Sequence, residues 1–404
     1  MPPATPSRTV STIMTPAVPI RPVDYTTDTS IVSLAASLAG RFGASGAVLP
    51  VPDPVLANTL AASRGVVFVL MDGVGEHVLR RHAPDGALAH FRLRSLSSVF
   101  PSSTAPALSA LSAAAPPAMH GNPGWLMWSE AAGAVIRTLP MDLRADHGAK
   151  VEAAGTWRWP AWTMRCQVPA FALLPAAIAD SEFSRHAYAG ATIIAYQSLD
   201  NVVDLVDALL NSSGDEACVF IYLPHFDMVS HEAGSSSNRA YAVVQRIEVW
   251  FAGLVARASQ RDMLVLAIAD HGFIDVPAAD QLRLEDFPAI AACLDRPLTG
   301  EPRVPLCSVR PAMQERFSEV IHAALGDAFT VHRSADLLAA GWFGTGNALA
   351  GRLGTHVLVP TRRVTLVDTL EGEQPAHFIG MHGGPDEDEM QVPLLAAWRG
   401  EPLQ

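Results

Sequence analysis

Three runs of apolar residues, each followed by an acidic side chain, constrain the fold of this 404-residue chain most strongly. They lie at 65–71, 217–223 and 263–269 and are rich in β-branched and other apolar residues. Continuous apolar runs of this length are typical of strands buried on both faces of a parallel sheet. Helical patterns at 201–210 and 239–258 separate the runs, so the sequence predicts an α/β fold.

Acidic and imidazole side chains stand at or shortly after the ends of these runs. Asp72 follows the first run, Asp227 and His231 follow the second at a spacing of four, and Asp270 and His271 follow the third. Because functional residues of parallel sheets gather beyond the carboxyl ends of the strands, we expect these groups to lie together. Mixed carboxylate and imidazole ligands suit Zn²⁺, and also Mn²⁺ or Fe²⁺, better than Mg²⁺ or Ca²⁺.

His382, in a glycine-rich turn near the C-terminus, completes a set of three carboxylates and three imidazoles. Each motif alone also has a purely structural interpretation. Asp72 before Gly73 is typical of a turn, and the Asp227/His231 spacing is common for polar pairs on a helix surface. The order of the groups and their placement at strand ends favour the metal-site interpretation.

The segment 97–108 predicts a polar turn that opens a helix, with Ser102, Ser103 and Thr104 at its start. One interpretation is a helix cap, in which a hydroxyl accepts from the free backbone N–H groups. The other is that Thr104 is a nucleophile at a helix N-terminus, where free N–H groups and the helix dipole favour a phosphate. The second interpretation requires metal ligands elsewhere in the chain, and the acidic and histidine motifs supply them.

Composition narrows the range of partners. The chain has 28 Lys and Arg against 40 Asp and Glu, which gives a net charge of −12. This acidic balance argues against a nucleic-acid polymer or an anionic membrane as partner. No run of eighteen apolar residues occurs, so no membrane span is expected. Phosphate-bearing small molecules remain compatible with the charge if bound metal ions reverse the local field.

The rest of the chain predicts a division into three parts. Residues 1–25, rich in Pro and Thr, predict a flexible tail without the pattern of a secretory signal. The region 273–378 is irregular and rich in prolines, and predicts a smaller α+β cap inserted between the catalytic pieces 26–272 and 379–404. The four cysteines form no CxxC pair and are expected to be free thiols of a reducing compartment, so we predict a cytoplasmic protein.

Taken together, these motifs resemble the alkaline phosphatase superfamily and, within it, the type I phosphodiesterase/nucleotide pyrophosphatase family. The matching segments span about 65–398 in the order of the family. They are Val69-Leu70-Met71-Asp72-Gly73, Phe100-Pro101-Ser102-Ser103-Thr104-Ala105-Pro106, His120-Gly121, Asp227-Met228-Val229-Ser230-His231, Asp270-His271-Gly272 and His382-Gly383-Gly384. The resemblance implies an alkaline-phosphatase-like fold with a mostly parallel central sheet flanked by helices.

The resemblance also implies a site with two divalent metal ions, for which Zn²⁺ is the expected identity. One ion is expected on Asp227, His231 and His382. The other is expected on Asp72, Asp270 and His271, with the Thr104 oxygen beside it. Thr104 would then attack the phosphorus, and water would hydrolyse the phospho-threonine intermediate.

The expected substrate is a small phosphate ester or a nucleotide, and one position departs from the family pattern. Nucleotide-active relatives place an Asn that holds a phosphate oxygen where this chain has Trp125. Asn122 is a candidate substitute from a shifted place, and Trp125 and Trp128 are candidate walls of a substrate pocket or parts of the core. Three functions stay open: diester or pyrophosphate hydrolysis; monoester or phosphonate hydrolysis or phosphoryl transfer within a sugar; and binding of a phosphorylated ligand without catalysis.

Overall fold

Two large sheets, two small sheets of two strands each (274–275 with 380–381, and 281–283 with 365–367) and the flanking helices form the fold in the computed structural model. The structure describes residues 23–25, 29–44, 53–146, 148–151, 156–212, 216–373 and 377–403. The strands within these residues, in chain order, are β1 Gly65–Met71, β2 Arg92–Ser97, β3 Leu126–Ser129, β4 Ala134–Arg137, β5 Asp142–Leu143, β6 Ala170–Pro175, β7 Thr192–Tyr196, β8 Cys218–Leu223, β9 Met263–Ile268, β10 Ile274–Asp275, β11 Gln281–Arg283, β12 Thr299–Glu301, β13 Val304–Cys307, β14 Phe329–Arg333, β15 His356–Pro360, β16 Thr365–Val367, β17 Gly380–Met381, β18 Gln391–Trp398 and β19 Glu401–Pro402.

Helices connect most of these strands. In chain order they are α1 Ile31–Arg41, α2 Pro54–Ala62, α3 Glu76–His82, α4 Ala87–His90, α5 Thr104–Ala113, α6 Pro117–His120, α7 Ala176–Ala179, α8 Glu182–Ala187, α9 Val202–Ser212, α10 His225–Ala233, α11 Asn238–Ser259, α12 Pro288–Ala291, α13 Phe317–Leu325, α14 Ser334–Ala339 and α15 Glu387–Met390. The long helix α11 begins after Ser237, whose hydroxyl caps the amide of Ala240.

The main sheet has eight strands in the order β19-β18-β9-β1-β8-β6-β7, with β2 paired to β18. Strands β9, β1, β8, β6 and β7 run parallel, whereas β18 is antiparallel to its neighbours. Every residue of β1, β8 and β9 is buried, as their continuous apolar sequences require. The predicted α/β fold with a mostly parallel central sheet is confirmed.

The register of the three central strands brings their carboxyl ends to one edge. Leu70 of β1 lies opposite Tyr222 of β8 on one side and Ile268 of β9 on the other. The amide of Asp72, directly after β1, donates to the carbonyl of Leu223 at 3.0 Å. The residues that follow all three strands therefore share one end of the sheet.

The second sheet has seven strands in the order β14-β15-β13-β12-β3-β4-β5. Strands β12 to β15 come from the region predicted as a cap, 273–378. Strands β3 to β5 come from 126–143, which the sequence analysis assigned to the catalytic domain, and Gly300 of β12 pairs with Leu126 of β3. The second sheet is thus built from two separate stretches of chain, and the division into catalytic pieces and cap stays a prediction.

Only the last residues of the predicted tail, 23–25, are among the described residues. Residues 1–22 lie outside the described residues. Val23 and Tyr25 are buried, and the Tyr25 hydroxyl accepts from the Phe100 amide at 3.0 Å. The end of the predicted tail thus packs against the turn that precedes α5.

Two expectations about the whole chain can be compared with the structure. The four cysteines are free, and Cys218, Cys293 and Cys307 are buried. Among the described residues, no helix combines the length and the apolar character that crossing a membrane requires.

A buried ion pair joins the second sheet to the C-terminal part of the main domain. Arg303, between β12 and β13, donates from Nε and Nη2 to the two oxygens of Glu389 at 3.0 and 2.7 Å. The Gly384 amide donates to the same carboxylate at 2.7 Å. Both side chains are almost fully buried, so each charge depends on the other for its stabilisation.

We therefore predict that Arg303→Met lowers the free energy of unfolding by about 3–5 kcal/mol, because it leaves the Glu389 carboxylate buried and unpaired. Urea denaturation followed by circular dichroism measures the change. Arg316→Met is the matched control, since Arg316 pairs with Glu319 at 3.8 Å on the surface, and should cost less than about 1 kcal/mol. Equal losses in the two variants would contradict the prediction.

Candidate active site

The hydroxyls of Ser102, Ser103 and Thr104, at the start of α5, have different partners. The Ser102 hydroxyl donates to the Gly384 carbonyl at 2.6 Å, and the Ser103 hydroxyl donates to Glu301 Oε1 at 2.5 Å. Ser103 has the backbone conformation of a helix N-cap, yet its side chain makes no capping hydrogen bond. The two serines are thus held by groups outside the helix, and Thr104 is the first residue of α5.

Thr104 is the hydroxyl of this turn that contacts the predicted metal ligands. Its Oγ1 lies 3.1 Å from Nε2 of His271 and 3.5 Å from Oδ1 of Asp72. The amides of Thr104 and Ala105 lie in the first turn of α5, where no helical carbonyl precedes them. The Thr104 hydroxyl and two backbone donors therefore stand together at a helix N-terminus, the arrangement that favours an anion.

One group of possible ligands consists of Asp227, His231 and His382. Oδ1 of Asp227 lies 3.3 Å from Nε2 of His231 and 3.6 Å from Nε2 of His382. The two imidazole nitrogens are 3.3 Å apart. Asp227 and His231 are one turn apart in α10, so the helix places them on the same face, as their spacing predicted.

A second group consists of Asp72, Asp227 and His271, whose ligand atoms also lie within 4.8 Å of one another. Nε2 of His271 is 3.3 Å from Oδ1 of Asp72. Asp227 thus belongs to both groups and stands between them. The family resemblance implied Asp227 for one ion only, and residue order gives no sign that one carboxylate belongs to two groups.

Asp270 is fully buried behind the second group. Its Oδ1 accepts from the amides of Gly73 and His271 at 3.1 and 3.0 Å. Its Oδ2 lies 3.7 Å from Nε2 of His271 and has no hydrogen-bond partner within the described residues. Asp270 belongs to neither group of ligand atoms among the described residues, and its binding of a metal ion stays a prediction.

The arrangement of donors fits divalent metal ions. In a tetrahedral site with bonds of about 2.0–2.1 Å, ligand atoms lie about 3.4 Å apart, close to the separations in the first group. Nδ1 of His231 and Nδ1 of His271 each lie 2.9 Å from a backbone carbonyl, of Gly380 and Gly272. Such a contact fixes the proton on Nδ1 and leaves Nε2 free as a ligand.

The pKa shifts of the three aspartates also favour bound cations in this site. Burial raises the pKa of Asp270 well above its usual value, and repulsion from Asp72 adds to this. Burial and the charge of Asp72 also raise the pKa of Asp227. Burial acts likewise on Asp72, but hydrogen bonding and charge from His271 hold its pKa below the ordinary value. Three carboxylates in one buried space require positive charge, which cations bound by them would supply.

Two residues of the site escaped the sequence analysis. Tyr222, inside the apolar run of β8, donates its hydroxyl hydrogen to Asp72 Oδ2 and so orients this carboxylate. Glu301, at the end of β12, accepts from Ser103. A tyrosine in a buried strand is usually a core residue, and a single glutamate in the irregular region carries no periodic signal, so neither had a recognisable pattern.

The two predicted substrate contacts lie close to the turn. Asn122 is fully buried, and its amide donates to the Ala105 carbonyl at 3.2 Å and to the Ser109 hydroxyl at 2.9 Å. It therefore braces the first turns of α5. Trp125 donates its backbone N–H to Glu301 at 2.7 Å and leaves 37% of its surface exposed. A contact between either side chain and a substrate stays a prediction.

The electrostatics predict how the metal-free protein responds to pH. Burial alone lowers the pKa of His271, but the charges of Asp270 and Asp72 raise it to about 10, from an ordinary value of 6.5. Between these values the folded protein holds a proton that the unfolded chain releases, so the free energy of unfolding falls as pH rises. We expect the melting temperature of chelator-treated protein to fall across this range.

Thermal unfolding at several pH values tests this expectation. His271→Gln removes the titrating group and should flatten the decline. Addition of Zn²⁺ should stabilise the protein more as pH rises, because metal ligands must be deprotonated. Identical slopes for the chelated native protein and His271→Gln would contradict the assignment.

Solved structures share this fold. The murine ectonucleotide pyrophosphatase/phosphodiesterase 5 superposes with a TM-score of 0.63 at 14% sequence identity, covering 82% of this chain and 87% of that one. The human protein gives 0.61 at 15%, covering 83% and 90%. Phosphonoacetate hydrolase from Sinorhizobium meliloti 1021, in complex with phosphonoacetate, gives 0.58 at 16%, covering 84% and 91%. No curated protein sequence matches the chain.

A match of the sequence to a family model identifies the family of this chain. The family model described as type I phosphodiesterase / nucleotide pyrophosphatase matches residues 66–385, most of the chain. The matched range includes Asp72, Thr104, both ligand groups and Glu301. The chain belongs to the type I phosphodiesterase/nucleotide pyrophosphatase family of the alkaline phosphatase superfamily and is a phosphoric ester hydrolase.

Proposed function

We propose that the protein hydrolyses phosphodiesters or the pyrophosphate bond of nucleotides, with Thr104 as nucleophile and two divalent ions in the site. The observation that carries the proposal is the position of the Thr104 hydroxyl, 3.1 Å from His271 and beside two groups of metal ligands at one end of the sheet. The serine hydroxyls of the same turn donate to Gly384 and Glu301, which leaves Thr104 as the free nucleophile.

Zn²⁺ is the ion that the mixed carboxylate and imidazole donors fit best. Asp227, His231 and His382 would hold one ion, and Asp72, Asp270 and His271 the other, with Asp227 near both. Bound divalent ions supply positive charge that lowers the pKa of a hydroxyl and stabilises the oxygens of an in-line displacement. The free cysteines favour a reducing compartment, and we propose the cytoplasm.

The protein residues carry the reaction in two steps. In the first, Oγ1 of Thr104 forms a bond to phosphorus while the bond to the leaving alcohol or phosphate oxygen breaks, and the leaving group takes up a proton. In the second, a water oxygen replaces Oγ1 on phosphorus, and Thr104 regains its proton. The amides of Thr104 and Ala105 would donate to the phosphoryl oxygens, since they point out of the first turn of α5.

A nucleotide is one substrate compatible with this site. An inactive threonine-to-alanine variant of murine ectonucleotide pyrophosphatase/phosphodiesterase 5 was solved in complex with AMP. In this chain the backbone amide of Trp125 shares Glu301 Oε1 with Ser103, and the ring of this partly exposed residue would offer a flat apolar surface to a base or another planar leaving group. Asn122 would support the phosphate site through its contacts with α5.

Hydrolysis of a phosphonate or a monoester is the alternative function. It is supported by the fold that this chain shares with phosphonoacetate hydrolase. The two functions need the same nucleophile and ions and differ in the charge and size of the leaving group. A panel of a nitrophenyl phosphodiester, a nucleoside triphosphate, a nitrophenyl monoester and phosphonoacetate separates them by relative kcat/KM.

We predict that Thr104→Ala reduces kcat for a nitrophenyl phosphodiester by roughly a thousandfold or more, because the variant cannot form the covalent intermediate. Mass spectrometry of acid-quenched native protein should detect a phosphoryl group on Thr104. Thr104→Ser should retain measurable activity, since it keeps a hydroxyl. Full activity in Thr104→Ala would exclude this residue as the nucleophile.

The shared position of Asp227 predicts unequal metal losses. Asp227→Ala should lose both ions, because its carboxylate belongs to both ligand groups, whereas His231→Ala should lose one. Elemental analysis of protein purified with equal care measures the stoichiometry. Thr59→Ala, a substitution in α2 that touches neither ligand group, serves as the control and should retain two ions. A single ion remaining in Asp227→Ala would refute the shared role.

A further inference from the structure

Glu301 is an acidic side chain that the second sheet places next to the nucleophile turn. It ends β12 and is buried. Its Oε1 accepts from the Ser103 hydroxyl at 2.5 Å and from the Trp125 amide at 2.7 Å. Both donors are neutral, so they satisfy the oxygen without cancelling the charge of the carboxylate.

Glu301 also lies within the electrostatic field of both ligand groups. Gly383, the neighbour of His382, approaches so closely that a Cβ on it would lie 3.0 Å from the Glu301 Cβ. Burial raises the pKa of Glu301 to about 7, whereas hydrogen bonds from the Ser103 hydroxyl and the Trp125 amide, and after them the charges of His271 and His231, act in the opposite direction. His271 belongs to one ligand group and His231 to the other, so the carboxylate interacts with both groups.

A fourth carboxylate changes the charge that a substrate meets. Asp72, Asp227 and Asp270 leave two divalent ions with one net positive charge, and Glu301 brings the site to neutrality. A phosphodiester carries one negative charge, whereas a monoester above its second pKa of about 6 carries two. Removing the positive charge weakens the attraction for the second charge of a monoester.

We propose that Glu301 sets a preference for singly charged phosphodiesters over doubly charged monoesters. The inference rests on the proposed hydrolysis at Thr104 and names the substrate class of that site. The nearest arginine in sequence, Arg303, does not offset Glu301, because its guanidinium is paired with Glu389. Glu301 is thus a specificity-determining residue that acts through charge.

The test compares 4-nitrophenyl phosphate with methyl 4-nitrophenyl phosphate, which share a leaving group and differ by one charge. Glu301→Gln removes the charge and keeps an acceptor oxygen for Ser103 and Trp125. In the metal-loaded full-length protein, well above pH 7, we expect the monoester-to-diester ratio of kcat/KM to rise about tenfold. An unchanged ratio overturns the proposal.

A second pair of variants separates charge from shape. Glu301→Asp and Glu301→Asn have side chains of the same size and differ in charge. The aspartate should keep the native ratio, and the asparagine should raise it. Equal shifts in the two variants would assign the effect to shape and overturn the proposal. This pair also provides the test if Glu301→Gln does not fold, as judged by melting temperature and metal content.

Binding of inorganic phosphate gives a readout independent of turnover. Isothermal titration calorimetry compares Thr104→Ala with Thr104→Ala/Glu301→Gln, neither of which can be phosphorylated at this position. The dianion should bind about tenfold more tightly without the Glu301 charge, and equal affinities would count against the proposal. Native-like hydrolysis by Thr104→Ala would instead refute the proposed function, so the two failures are distinguishable.

Discussion

Parallel strands that end at a common edge force the carboxylates of Asp72, Asp227 and Asp270 into one buried space. The register of β1 with β8 and β9 leaves them no other direction, since each acid follows its strand at or within a few residues of its end. Burial, and after it the charge of Asp72, raise the pKa values of Asp227 and Asp270. Positive charge at this edge, from His271 or from bound cations, therefore stabilises both the fold and the site, and links metal binding to folding.

The second sheet supplies contacts that hold the turns around the candidate site. Glu301 accepts a hydrogen bond from the Ser103 hydroxyl, and the Ser103 side chain makes no capping hydrogen bond to α5. The Arg303–Glu389 pair holds the Gly384 amide, close to His382. The turn before α5 and the turn 382–384 are thus held by contacts with Glu301 and with the Arg303–Glu389 pair, at and beside the end of β12. The geometry of the site depends on contacts between sheets as much as on the strand ends.

Sequence reasoning was reliable where local chemistry decides structure. The continuous apolar run of β1 can only be buried, and an acid directly after it must lie at the strand end. The start of α5 at Thr104 could be predicted because a polar turn before a run of small residues marks a helix start. Both inferences use neighbours in the chain.

The remaining features depend on distant contacts. Glu301 and Ser103 are 198 positions apart, and no spacing rule connects them. Tyr222 is indistinguishable from a core residue until its hydroxyl meets Asp72. The position of Asp227 between two groups follows from the orientation of α10 relative to β1 and β9, which packing determines and sequence order does not.

The origin of the second sheet in two stretches of chain limits how this protein can be divided or recombined. Excising 273–378 would remove β12 to β15 and leave β3, previously paired with β12 through Leu126 and Gly300, with an open edge. Exchange of this region between relatives would therefore have to include 126–143 as a companion segment. During synthesis β3 to β5 emerge long before their partners, so completion of this sheet belongs to the late, non-local stage of folding.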